Sequence, residues 1–144
     1  MNEQSIKAFF NAYESRFNAS LTGKIDVEGT TQSFANCFVE ATPAGITCGK
    51  NDEQFREAIP KGIEFYRSIG TTEMKILAID ITMLDDLHAM AEVYWEAIYN
   101  TKEGKEVVIE FTVIYFVQGL NDQIKIFAYI TGDEQKVLRE RGLI

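Results

Sequence analysis

Tyr13, His88, Glu92, Tyr94 and Tyr115 are the side chains of this 144-residue chain whose types and spacing could do chemistry. Apolar surroundings disfavour a carboxylate's charged form, which would suit Glu92 to act as a general acid or base near neutral pH. Phenols at Tyr13, Tyr94 and Tyr115 could donate hydrogen bonds to a ligand oxygen while their rings pack against its apolar body. His88 is the single histidine. As a proton carrier it could serve Glu92, but four residues along a strand separate them by about 13 Å, too far for a direct dyad. Each residue also has a plainer reading. Glu92 could sit solvated at a strand end or paired with a lysine, His88 at the surface, and the tyrosines in a core with their hydroxyls on backbone carbonyls.

Positioning such residues is the task of the surrounding elements. Ile6, Phe9, Phe10, Tyr13 and Phe17 recur at three- and four-residue steps, which predicts a helix from Glu3 to Ser20. A short helical turn over Leu21 to Ser33 leads to two β-type runs, Phe34 to Glu40 and Gly45 to Gly49, joined at Thr42-Pro43-Ala44-Gly45. Asn51 offers an N-cap to a second stripe, Phe55, Ala58, Ile59, Ile63 and Tyr66, which Pro60 should kink or divide. From Thr72 to Thr131 the period becomes two, in four long runs broken at Asp85-Asp86, Thr101 to Gly104 and Gly119 to Asp122. Such tight breaks predict an antiparallel meander. A polar helix from Asp133 to Arg141 follows. The fold class is therefore α+β in one domain over residues 1–144, with four long strands, a short hairpin and helices on one sheet face.

A two-residue turn at Asp85-Asp86 sets Lys75 opposite Glu96 and fixes the facing of the strands, provided every later loop has even length. One face then carries Leu77, Ile79, Ile81 and Met83 with His88, Met90, Glu92, Tyr94, Phe111, Val113, Tyr115, Ile126, Ala128 and Ile130. With Phe9, Phe17, Phe55 and Ile59 from the helices, its central members are the expected pocket lining. The opposite face carries Trp95, Ile114, Phe116, Phe127 and Tyr129. Both faces are apolar, where a sheet with one wet side shows polar residues on that side. A second copy of the chain, joined sheet to sheet, is the expected cover for the Trp95 face.

Composition excludes other classes. With 14 basic and 22 acidic side chains the net charge is −8, which argues against nucleic-acid binding. No stretch reaches the length of a membrane span, and the opening residues lack a signal-peptide profile, so a cytoplasmic location is expected. Cys37 and Cys48 are the only cysteines and are expected as free buried thiols. One histidine cannot build a multi-histidine metal centre, and neither metal nor cofactor is expected.

The order of these elements resembles the nuclear transport factor 2-like superfamily, which includes ketosteroid isomerases, polyketide cyclases and scytalone dehydratases. Ala12-Tyr13 and Phe17-Asn18-Ala19, Phe34-Ala35, Pro43, Phe55 to Ile59 and the closing meander carry the likeness. It implies a cystatin-like cone: a strongly curved sheet closed on one side by helices, with a pocket between and a dimer on the outer face. Tyr13 matches the first-helix tyrosine that isomerases of this fold use as an oxyanion donor. Their base position holds Thr42 and their second acid position Val113, while the cyclase histidine and aspartate positions hold Ile126 and Ala128. None of these can perform those roles. The leading expectation is thus a small-molecule-binding domain with a mainly apolar pocket. The alternatives are a lyase, isomerase or hydrolase using Glu92 and Tyr13 on a lipophilic substrate, and a protein-interaction module.

Overall fold

Nineteen residues, Glu3–Leu21, form the first helix (α1), started by a reciprocal cap in which Asn2 accepts from the Ser5 amide and Ser5 Oγ from the Asn2 amide. The computed structural model describes residues 1–144. Then follow α2 (Val27–Gln32), β1 (Phe34–Thr42), β2 (Gly45–Lys50), α3 (Glu53–Ser68), β3 (Thr71–Met83), β4 (His88–Asn100), β5 (Glu106–Leu120), β6 (Gln123–Ile130) and α4 (Glu134–Glu140). All six strands form one sheet in the order β2-β1-β6-β5-β4-β3, antiparallel except for the parallel β1–β6 pair. The architecture is α+β, a curved unclosed sheet with the helices against its inner face, as expected of a cystatin-like cone.

Local chemistry corrects several details. Asp52, not Asn51, caps α3 by accepting from the Phe55 amide. Asn51 instead donates to the carbonyls of Thr31 and Phe34, pinning α2 and β1 together. Pro60 does not divide α3, which runs unbroken through it. Both cysteines are exposed, because Cys37 and Cys48 lie on the outer side of the β1–β2 hairpin, opposite the buried Phe38.

The strand facing departs further from expectation, and loop lengths are the reason. Lys75 does pair with Glu96. Beyond it, a bulge at Leu77 shifts the register by one, and a three-residue loop, Asp85 to Leu87, absorbs the shift. Asp85 builds that loop by accepting from the amides of Leu87 (2.8 Å) and His88 (2.7 Å). Five residues, Thr101 to Lys105, join β4 to β5, with Gly104 at φ +77°. An odd loop reverses the facing relation, so Val93 and Trp95 share a face with Val113 and Phe111. Asn121 and Asp122, both at positive φ, form the two-residue turn into β6. A last irregularity between Val117 and Phe116 keeps Ile126 inside and turns Tyr129 inward opposite Tyr115.

The inner face therefore carries Ala89, Ala91, Val93, Trp95, Val113, Tyr115, Val117 and Ile126, which with Ile6 and Phe10 of α1 form the main core. Ile79 and Ile81 pack against it. His88, Met90, Glu92, Tyr94, Ala128 and Ile130 are on the outer face, contrary to expectation. Trp95 and Tyr129 are on the inner one, so neither belongs to the outer patch.

The edge strand β3 is held by α1 as if by another strand. Asn18 donates to the Met74 carbonyl and accepts from the Met74 amide, both at 2.8 Å, and Glu14 accepts from the Ile76 amide at 2.5 Å. These bonds protect an edge that would otherwise offer free backbone groups and fix Tyr13, the residue before Glu14, over the sheet.

Candidate functional site

A cavity of about 510 Å³ opens between α1, the inner sheet face and the start of α4. Its walls are Tyr13 and Phe17 of α1, Phe34 of β1, Tyr66 of α3, Met74 of β3, Trp95 of β4, Phe111, Val113 and Tyr115 of β5, and Tyr129 of β6. The rim is polar: Glu40 and Thr42 of β1, then Thr131, Asp133, Glu134 and Gln135 at the entry to α4. Eleven of the 19 lining residues are hydrophobic, which makes the wall mainly apolar.

The aromatic rings brace one another. Tyr13 lies 6.3 Å from both Trp95 and Tyr115, Phe34 is 6.5 Å from Tyr13, and Tyr115 is 6.3 Å from Tyr129. Phe17 packs edge-on against Tyr66 at 5.6 Å. Such tilted and edge-to-face contacts suit the ring quadrupole and hold the walls without filling the cavity.

Two phenol–carboxylate pairs stand where walls meet rim. Tyr129 Oη donates to Glu40 Oε2 at 2.6 Å, and Tyr66 Oη reaches both carboxyl oxygens of Glu134 at 2.9 and 2.8 Å. Burial raises the pKa values of Tyr13, Tyr66, Tyr115 and Tyr129 above the ordinary phenol value, so all four remain protonated donors at neutral pH. Desolvation likewise raises the Glu134 pKa, against the opposing effect of the Tyr66 bond. The Trp95 indole N–H is buried in the wall without a hydrogen-bond partner.

The Glu134 shift has a definite sign. With the folded value raised, the native state keeps a proton that the unfolded chain releases, so Glu134 stabilises the fold at low pH. That contribution is lost as pH rises from the usual carboxylate range through the folded value. Glu134→Gln, which can still accept from Tyr66, is expected to flatten that decline. Urea midpoints of parent and variant across acidic to neutral pH check this, and a parallel pair of profiles contradicts it.

Of the residues expected in the site, the structure gathers Tyr13, Phe17, Phe111, Val113 and Tyr115 around the main cavity. Ile59 lines a small adjoining cavity of about 60 Å³ with Tyr13 and Phe17. Phe9, Phe55 and Ile126 belong to the core behind the walls. Glu92 is remote, on the outer face, where it accepts from Tyr94 at 2.5 Å, and this bond pushes the Tyr94 pKa up to about 12. His88 is held by Asp85 at 2.8 Å and Gln118 at 3.0 Å, also outside. Glu40, Tyr66, Trp95, Tyr129 and Glu134 were not foreseen. The Glu40 signal was present, since β1 alternates inward at Phe38, Glu40 and Thr42.

Comparison with known proteins places this geometry in a family. An NTF-2 like protein of unknown function from Shewanella oneidensis superposes with a TM-score of 0.68 at 18% identity, over 92% of this chain and 100% of that one. Aln2 from a Streptomyces species gives 0.66 at 15% identity, over 95% and 94% of the two chains. A ketosteroid isomerase-like protein from Erwinia carotovora atroseptica gives 0.64 at 16%, over 92% and 97%. At these identities the likeness shows the fold alone. No curated protein sequence matches the chain. Residues 2–134 match the family described as NTF2-like protein (DUF6841), and with nearly the whole chain matched, it belongs to that NTF2-like family.

Proposed function

We propose that this domain binds a small amphipathic molecule in the cavity between α1 and the inner sheet face. The observation that carries the reading is the cavity itself: its volume of about 510 Å³ lies in the range of small-molecule sites, roughly 300–1,000 Å³, and its walls are aromatic with polar groups at one end. Protonated phenols and the rim carboxylates supply orientation, and the rings supply apolar contact area.

Binding is favoured over catalysis by the state of the carboxyl groups. Tyr66 shares its one phenol proton between the two oxygens of Glu134 and Tyr129 takes Oε2 of Glu40, which leaves Glu40 Oε1 as the one unengaged oxygen of these pairs that could serve as a general base. A lyase or isomerase reading survives only with Glu40 as its carboxylate and Tyr13 as donor, because Glu92 lies on the far side of the sheet. The partner assigned to the outer face is a second copy of the chain. All helices lie on the inner side, leaving Met90, Ile114, Phe116, Phe127, Ala128 and Ile130 as an apolar, partly exposed outer surface. A solution mass of twice 16.3 kDa is the expected result, and a monomer at micromolar concentration contradicts that pairing.

Trp95 is the only tryptophan and forms part of the cavity wall, so its emission reports occupancy directly. Titration with medium-chain amphiphiles should change Trp95 emission saturably. A flat response to amphiphiles of every head-group charge counts against the binding reading.

A further inference from the structure

Among the 19 cavity-lining residues there is no lysine, arginine or histidine, while three are acidic: Glu40, Asp133 and Glu134. The chain has 14 basic side chains, yet none forms a salt bridge with these three. Arg16 lines the small adjoining cavity, where it donates to Ser33 Oγ at 3.0 Å and pairs with Asp26 at 3.7 Å. Tyr129 takes only one oxygen of Glu40, and Glu40 Oε1 accepts no hydrogen bond from the protein.

Glu40 is half-buried at the rim, Asp133 and Glu134 are exposed there, and no cationic side chain offsets them, so an incoming cation meets three uncompensated acidic groups. Beside them stand the rings of Tyr13, Tyr66, Trp95, Tyr115 and Tyr129, whose electron-rich faces attract a cation, most strongly when it is desolvated. An anion in the same place would meet like charges. Resting on the binding reading above, we propose that the ligand is an organic cation: a protonated amine seated at Glu40 and Glu134, its apolar body lying among the aromatic walls. The amine N–H donates to Glu40 Oε1, and its charge offsets both carboxylates. This departs from the neutral or acidic lipophilic ligands that the fold resemblance alone would suggest.

Octylamine, octanol and octanoate share one apolar body and differ in head group. Measured by Trp95 emission and by calorimetry at neutral pH, octylamine should bind at least about tenfold more tightly than octanol, with octanoate weakest. Glu40→Gln combined with Glu134→Gln keeps the acceptors for Tyr129 and Tyr66. It should reduce the amine affinity at least about tenfold and leave octanol binding unchanged. Glu92→Gln, on the outer face, should leave amine binding as it is; this separates a built site from general attraction to a chain of charge −8. Thermal melting of each variant checks folding, and should the double variant fail to fold, either single glutamine substitution carries the test. Equal affinity for octylamine and octanol, tighter octanoate, or an equal loss in Glu92→Gln overturns the cation inference while the cavity reading stands. If none of the three probes perturbs Trp95, both fall.

Discussion

Phe10→Ala should lower stability by about 3–5 kcal/mol, the usual cost of removing a fully buried aromatic side chain. Phe10 has no exposed surface and lies where α1 meets the sheet, with ring centroids 5.0 Å from Phe9 and 4.9 Å from Tyr115. The alanine loses apolar burial and leaves a void that close-packed neighbours fill only in part. Domains are stable by about 5–15 kcal/mol, so roughly a fifth or more of the total is at stake, and the melting temperature should fall by roughly 10–20 °C. The void would also free Tyr115, which forms the cavity wall on the other side of Phe10. Urea denaturation measures the change. A loss under about 1 kcal/mol would show that the helix–sheet junction is not closed by this ring.

Gly70→Ala is expected to cost about 2–5 kcal/mol, for two independent reasons. Gly70 sits at φ +86°, in the left-handed region where a Cβ is strained. A Cβ there would also be driven into the backbone carbonyl oxygen of Asn100, at the end of β4. That neighbour cannot retreat, since the Asn100 amide donates to the Gly70 carbonyl at 2.8 Å. The strain would reach the site, because Gly70 joins α3, which positions Tyr66 against Glu134, to β3. Gly62, exposed to open space on the same helix, is the control: Gly62→Ala should be neutral or slightly stabilising. Equal stability of the two variants would contradict the account of this junction.

The elements and their order were legible because they follow from periodicity and turn chemistry. Ile6, Phe10, Tyr13 and Phe17 mark one helical face whatever the strands do, whereas Lys75 stands opposite Glu96 only because the bulge at Leu77 offsets the extra residue of the β3–β4 loop. The site was less legible because strand facing has period two, so each single-residue irregularity reverses everything beyond it. Asp85 converts an expected two-residue turn to three residues, the Thr101 to Lys105 loop has five, and bulges fall at Leu77 and near Phe127. Glu92 consequently moved out of the pocket while Trp95 and Tyr129 moved in. These shifts depend on capping and pleat geometry that no apolar pattern records. Glu40 differs, because it lies on a strand whose alternation from Phe38 was readable and only its partner Tyr129 was assigned to the wrong face.

The central claim is that the chemistry of this domain lies on the inner face of the sheet, in the cavity roofed by α1, and not on the face that holds Glu92. Backbone amide shift mapping by NMR during a titration with octylamine tests it residue by residue. The account predicts saturable shifts at Tyr13, Phe34, Glu40, Trp95, Tyr129 and Glu134, with His88, Met90, Glu92 and Tyr94 unmoved. Shifts confined to that outer group would contradict it.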